Sequence, residues 1–262
     1  MARGKSDPDP ALPAPSQALA GKTALVTGAA RRVGAAIVRV LHGAGANVVV
    51  HYRSSVEDAQ RLAAELNGAR AGSVRLAEGE LLDVTQHAAL IAGAVQAFGG
   101  LDILVNNAST FYPTPVGDIT ETEWDDLLGT NLKAPLFLAQ AAAPALHERK
   151  GLIINLADIH GMRPLRRYPV YSVAKAGVIM LTLSLARELG PHVRVNAIAP
   201  GPVMWPEDAV DPALQAKILQ RTALKRPGSA VDVARACLFF AAEAPYVTGQ
   251  VLAVDGGRSI GW

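Results

Sequence analysis

Short, continuous apolar runs alternate with longer stretches of helical periodicity from Thr23 to Val254. Residues 23–26, 47–51, 73–76, 103–106, 152–156, 193–197 and 250–254 read as strands. Helical patterns fill 32–42, 56–66, 86–98, 121–146, 171–189, 212–221 and 230–241. Strands that are apolar on both sides need cover on both faces, and strands separated by helices pair in parallel. The sequence therefore predicts a single-domain, doubly wound α/β fold, with a parallel sheet between two helical layers. Hydrophobic residues make up 50% of the chain, enough for one sizeable core. No repeat or linker interrupts residues 20–262, which read as one domain. Residues 1–19, which include D-P-D-P-A-L-P-A-P, carry too little apolar surface to fold and are expected to form a disordered tail.

Charge narrows the partners. The 25 basic and 23 acidic residues nearly balance, and no long basic block exists, which argues against nucleic acid. A lone cysteine, Cys237, sits in an apolar run and excludes an internal disulfide or a cysteine-based zinc site; no metal is expected. No apolar run reads as long enough to span a membrane, so no membrane partner is expected and a soluble, cytoplasmic protein is the default.

The first strand runs into T-G-A-A-R-R-V-G, Thr27 to Gly34. Gly28 permits a tight turn and Gly34 a close approach of helix to strand. The helix start then offers amide N–H groups to a pyrophosphate. Arg31, Arg32 and Val33 lie in the same turn, with Arg32 where dinucleotide folds usually carry a middle glycine. The second strand ends in His51, Tyr52, Arg53 and Ser54 and lacks the acidic residue that would bind a ribose 2′-hydroxyl. Arg53 and the serine hydroxyls suit a 2′-phosphate instead, so the expected cofactor is NADPH. Asp83 either accepts from an adenine amino group or caps a helix. Asn107, Ala108 and Ser109 follow a central strand and face the ligand crevice. Phe111 and Tyr112, in the Pro-rich loop beyond, either stack on a flat heteroaromatic ring or pack the loop.

Tyr171 and Lys175 stand at i and i+4 near the start of a long helix, so both project from one face. A phenol beside an ammonium is a proton donor whose pKa the cation is expected to lower.

These motifs together resemble the short-chain dehydrogenase/reductase family across residues 20–262. The matching positions are Thr27-Gly28 with Gly34, Asn106-Asn107-Ala108, Asn131, Tyr171 with Lys175, and Pro200-Gly201. The chain departs from the family pattern in Arg32, in Ser109, in the F-Y-P-T-P extension, and in Asp158, thirteen residues before Tyr171, where serine is usual. These departures resemble the pteridine reductase branch. The resemblance implies a Rossmann-type fold, NADPH dependence, a pterin or folate substrate and a homotetramer. It also implies a catalytic set of Asp158, Tyr171, Lys175 and Asn131, with Asn131 holding a water that links Lys175 to solvent. Substrate would meet Arg32, Ser109, Phe111, Asp158, Tyr171, Met204 and Trp205, and Pro200-Gly201 would meet the cofactor.

Asp158 carries the choice of substrate on chemical grounds. A ketone reductase needs a neutral O–H donor at the carbonyl oxygen, which becomes an oxyanion as hydride arrives. A carboxylate there repels the developing charge, whereas a pterin presents N–H donors and a reducible C=N bond. The alternatives are an NADPH-dependent ketone reductase, such as one for 3-oxoacyl thioesters, and a non-catalytic NADPH sensor.

Overall fold

A computed structural model describes residue 12 and residues 16–204 and 211–260. Seven strands form one parallel sheet in the order β3-β2-β1-β4-β5-β6-β7. They are β1 (Thr23–Val26), β2 (Asn47–Tyr52), β3 (Val74–Glu78), β4 (Ile103–Asn106), β5 (Leu152–Leu156), β6 (Arg194–Pro200) and β7 (Val251–Val254). The helices are α1 (Arg32–Gly43), α2 (Val56–Ala69), α3 (His87–Phe98), α4 (Glu121–Leu128), α5 (Ala134–Arg149), α6 (Pro169–Leu189), α7 (Pro212–Gln220) and α8 (Ala230–Leu238). The Rossmann-like α/β architecture expected from the alternation is the one observed.

Period-two alternation splits the core into two layers. Ala24, Val26, Val48 and Val50 point to the side covered by α1, α2 and α8. Leu25, Val49, Leu104 and Ile153 point to the side covered by α3 and α5. Strand order reverses between β1 and β4, and the crevice at their carboxyl ends is where such sheets take their ligands.

Three expectations are amended. The helix expected over 121–146 is two helices joined by a π-helical turn, Gly129–Lys133, which contains the buried Asn131. One wide turn inside a helix re-aims side chains and often marks a functional position. The packed chain also begins before residue 20: Leu19 is buried in the core, and the Ser16 and Leu19 N–H groups donate to Gly43 and Ala44 carbonyls. Among the described residues one helix, α6, is long and apolar enough by length and composition to cross a membrane. Here it lies against the sheet with Tyr171, Lys175, Val178 and Thr182 buried.

Candidate active site

Two turns close the crevice floor, one after β1 and one after β4, and they are stapled together. Thr27 Oγ1 accepts the N–H groups of Asn107 and Ala108, each at 3.0 Å. Asn107 Nδ2 returns bonds to the Thr27 and Gly28 carbonyls at 2.8 and 3.0 Å. Gly28 adopts φ +57°, and a Cβ on it would lie 2.9 Å from Ala108 Cα. A Cβ on Gly34 would lie 2.5 Å from the Gly28 carbonyl oxygen and 2.7 Å from Asn107 Nδ2. These glycines let α1 start close against the turn. α1 carries no side-chain cap at Arg31, so a phosphate fits the chemistry of this helix start.

Arg32 takes φ +53°, the left-handed conformation that favours glycine. The backbone therefore keeps the shape of a glycine position although the side chain is arginine, at a cost on the order of 1 kcal/mol. Arg31 is exposed and sits 3.8 Å from Asp58; Val33 is half-buried against the core.

The residues after β2 divide. His51 is buried, its Nδ1 accepting the Gly28 N–H and its Nε2 meeting the Gly79 carbonyl, both at 3.2 Å. That pair of contacts defines a neutral ring with hydrogen on Nε2, and burial lowers its pKa to about 4. His51 thus supports the turn from beneath instead of reaching outward to a phosphate. Tyr52 is also buried and donates to Glu78 at 3.4 Å. Arg53 and Ser54 are exposed. Asp83, left open as adenine acceptor or cap, has its carboxylate taken by Thr85 N–H, Thr85 Oγ1 and Gln86 Nε2 at 3.0, 2.6 and 2.8 Å. It caps the 3-10 turn that leads into α3.

The proton-handling cluster forms where β5 gives way to α6. Pro169, with its fixed φ, starts α6 and sets Tyr171 and Lys175 on its buried face. Tyr171 Oη donates to Asp158 Oδ2 at 2.8 Å, and Asp158 Oδ1 accepts the His160 N–H at 2.7 Å. Burial first, and then the Asp158 charge, hold the Tyr171 pKa well above that of a free phenol. This reverses the expected direction: burial and Asp158 outweigh the nearby Lys175. Lys175 Nζ donates to the Leu156 carbonyl at 2.8 Å and is itself brought down to about 8 by burial, with Asp158 opposing. Desolvation disfavours both charged forms, phenolate and ammonium.

Asn131 donates to the Leu127 carbonyl at 2.9 Å and the Thr110 carbonyl at 3.0 Å, and its Oδ1 accepts from Ser109 Oγ. The expected water-holding role of Asn131 meets a side chain whose polar atoms are already engaged. The serine after Asn107-Ala108 is thus tied to the π-helical turn. Phe111 is exposed, lies parallel to Tyr168 with centroids 4.6 Å apart, and stands edge-on to Tyr171 at 4.8 Å. Tyr168 was not foreseen; it lies three residues before Tyr171 in the sequence, and only the folded loop brings it to Phe111. Tyr112 packs inward and donates to Asp126 at 2.9 Å, and burial raises its pKa to about 12.

At the far wall, a Cβ on Gly201 would lie 2.5 Å from Asp255 Cβ, so the end of β6 packs closely against the turn that follows β7. Met204 is exposed, whereas Trp205 lies outside the described residues. Among the described residues no group of three or more His, Cys, Asp or Glu is arranged to hold a metal, and Cys237 is fully buried with its pKa pushed up.

A parallel sheet with a glycine cradle at its switch point and a Tyr–Lys pair on the flanking helix defines a dinucleotide-dependent oxidoreductase. A family model described as enoyl-(acyl carrier protein) reductase matches residues 28–259. The 3-oxoacyl-[acyl-carrier-protein] reductase FabG of Staphylococcus aureus is 38% identical over 240 residues, covering 90% of this chain and 97% of that protein. 3beta-hydroxysteroid dehydrogenase 1 of Eggerthella lenta is 37% identical over 253 residues, covering 92% and 95%. Pteridine reductase 1 of Leishmania tarentolae is 35% identical over 278 aligned positions, covering 90% and 96%. The chain belongs to the short-chain dehydrogenase/reductase family of NAD(P)H oxidoreductases.

Proposed function

We propose that the chain is an NADPH-dependent pteridine reductase that takes 7,8-dihydropterins to tetrahydropterins, with oxidised pterins and dihydrofolate as further substrates. The observation that carries this reading is the Asp158–Tyr171 hydrogen bond of 2.8 Å, with the tyrosine buried and the aspartate half-buried. An acceptor-only carboxylate beside the proton donor suits a substrate edge rich in N–H groups and opposes the oxyanion of a ketone. Phe111, one face of which is stacked on Tyr168, would offer its other face to a bicyclic ring.

The bound cofactor supplies a hydride from C4 of its nicotinamide. The chain's residues do the rest. The Gly28–Gly34 turn receives the pyrophosphate, Arg53 and Ser54 the 2′-phosphate, and Pro200-Gly201 the nicotinamide side. Lys175 binds the ribose hydroxyls. Asp158 accepts from the pterin N–H edge and frees the Tyr171 proton for the ring nitrogen of an oxidised pterin; for a dihydropterin, N5 takes its proton from water. Arg32 and Ser109 meet the pterin edge and the phosphates, and Met204 and Trp205 border the substrate tail.

A second reading, reduction of a 3-oxoacyl thioester, is favoured by the 38% identity to a 3-oxoacyl-[acyl-carrier-protein] reductase. Following NADPH oxidation with 7,8-dihydrobiopterin, dihydrofolate and a 3-oxoacyl thioester separates the two: turnover with the thioester alone rejects the pterin reading.

The proposal extends to a homotetramer in the cytoplasm. Leu136 on α5 and Val173, Met180 and Leu183 on α6 form an exposed apolar face suited to a second copy of the chain.

A further inference from the structure

The sequence offers no acidic residue at the end of β2, but the parallel register sets Tyr52 against Glu78 and brings the end of β3 alongside. Two residues beyond Glu78, Glu80 Oε2 lies 3.5 Å from Arg53 Nη1. Its other oxygen, Oε1, accepts the Leu82 N–H at 3.1 Å. The backbone anchor fixes Glu80, while the Arg53 side chain is 57% exposed on a flexible stem. The cation expected at a ribose 2′-phosphate therefore already has a carboxylate partner.

We propose that Glu80 sets cofactor selectivity: it competes with the 2′-phosphate for Arg53 and offers its own carboxylate to the hydroxyls of an unphosphorylated ribose. The inference rests on the dinucleotide reading of the β1–α1 turn and not on the identity of the substrate. A 2′-phosphate entering this corner shares Arg53 with Glu80 and sits near a like charge. A 2′-hydroxyl meets an acceptor instead, which is the arrangement NAD sites obtain from an acidic residue on their second strand. Here the loop after the neighbouring strand supplies it. The chain accordingly binds NADH as well as NADPH, with a narrower preference than Arg53 alone would give.

The test is calorimetric titration of the full chain with NADPH and with NADH, for the wild type, Glu80→Gln and Arg53→Ala, without substrate. Glutamine keeps the size of Glu80 and an oxygen for the Leu82 N–H. Glu80→Gln is expected to tighten NADPH and weaken NADH, each roughly three- to ten-fold. Adding Arg53→Ala is expected to abolish the NADPH gain. Dissociation constants that stay unchanged in Glu80→Gln, or that move together in one direction, overturn the role of Glu80 while leaving NADPH binding intact. A wild type that binds neither dinucleotide overturns the cofactor reading itself and this inference with it.

Discussion

Tyr171 donates its phenolic hydrogen to Asp158 at 2.8 Å, in a pocket that leaves the tyrosine 5% exposed. The pair holds its proton tightly, because burial and the carboxylate both oppose the phenolate. Removing the charge while keeping the shape isolates the second cause. In Asp158→Asn the tyrosinate absorbance of Tyr171 should rise at lower pH than in the wild type, with Tyr171→Phe identifying the signal. A titration unchanged by Asp158→Asn would show that burial alone sets the pKa.

Lys175 makes stability rise with alkali over a defined window. Its folded pKa of about 8 lies below the ordinary 10.5, so below pH 8 the folded state bears the full cost of a buried ammonium. As pH rises from 8 towards 10.5 the folded chain sheds this proton first, and stability increases by at most about 3 kcal/mol. Tyr171 acts in the opposite sense: its raised pKa favours folding below pH 10 and that contribution fades as pH climbs further. Denaturant unfolding should therefore show a gain between pH 8 and 10 that Lys175→Met lacks.

His51 gives the acid limb. Its ring is held neutral with a pKa of about 4, against 6.5 when unfolded. Stability that is whole above pH 6.5 should fall by up to about 3 kcal/mol as pH drops towards 4. His51→Gln should lose most of that dependence in denaturant titrations between pH 4.5 and 7. Since the ring also holds the Gly28 N–H, the variant should bind dinucleotide more weakly at every pH.

Gly34→Ala places a methyl 2.5 Å from the Gly28 carbonyl oxygen and 2.7 Å from Asn107 Nδ2. Neither neighbour yields without opening the staple between the two turns. Overpacking of this kind costs about 1–3 kcal/mol, so the melting temperature should fall and dinucleotide binding weaken by at least about ten-fold. Differential scanning calorimetry and titration with NADPH check the two effects.

The fold was legible because most strands, such as T-A-L-V and L-I-I-N-L, read as short apolar runs set between longer helical stretches, a local pattern; V-R-L-A-E of β3 is the least apolar of them. The Gly28–Gly34 turn, Tyr171 and Lys175 were legible for the same reason, since fixed spacing within one strand–turn–helix or one helical face places them. What the sequence did not disclose depends on neighbours far along the chain. The partner of Arg53 comes from the loop after β3, the ring that covers Phe111 is Tyr168, and Ser109 is tied to Asn131 across twenty-two positions. The pKa of Tyr171 was misjudged in direction because spacing shows the nearby cation but neither the burial nor the geometry of Asp158. The π-helical turn at Gly129–Lys133 likewise leaves no mark in a periodic pattern that runs through it.

The most direct test of the central claim is the ratio of kcat/KM for 7,8-dihydrobiopterin to that for a 3-oxoacyl thioester, in the wild type and in Asp158→Ser. Serine can still cap the turn at His160 through its hydroxyl. If the carboxylate selects the nitrogen heterocycle, the wild type favours the pterin, and Asp158→Ser loses pterin turnover by about 10²-fold or more while gaining turnover of the thioester. A wild type that reduces the thioester, with a ratio unmoved by the substitution, would contradict the account.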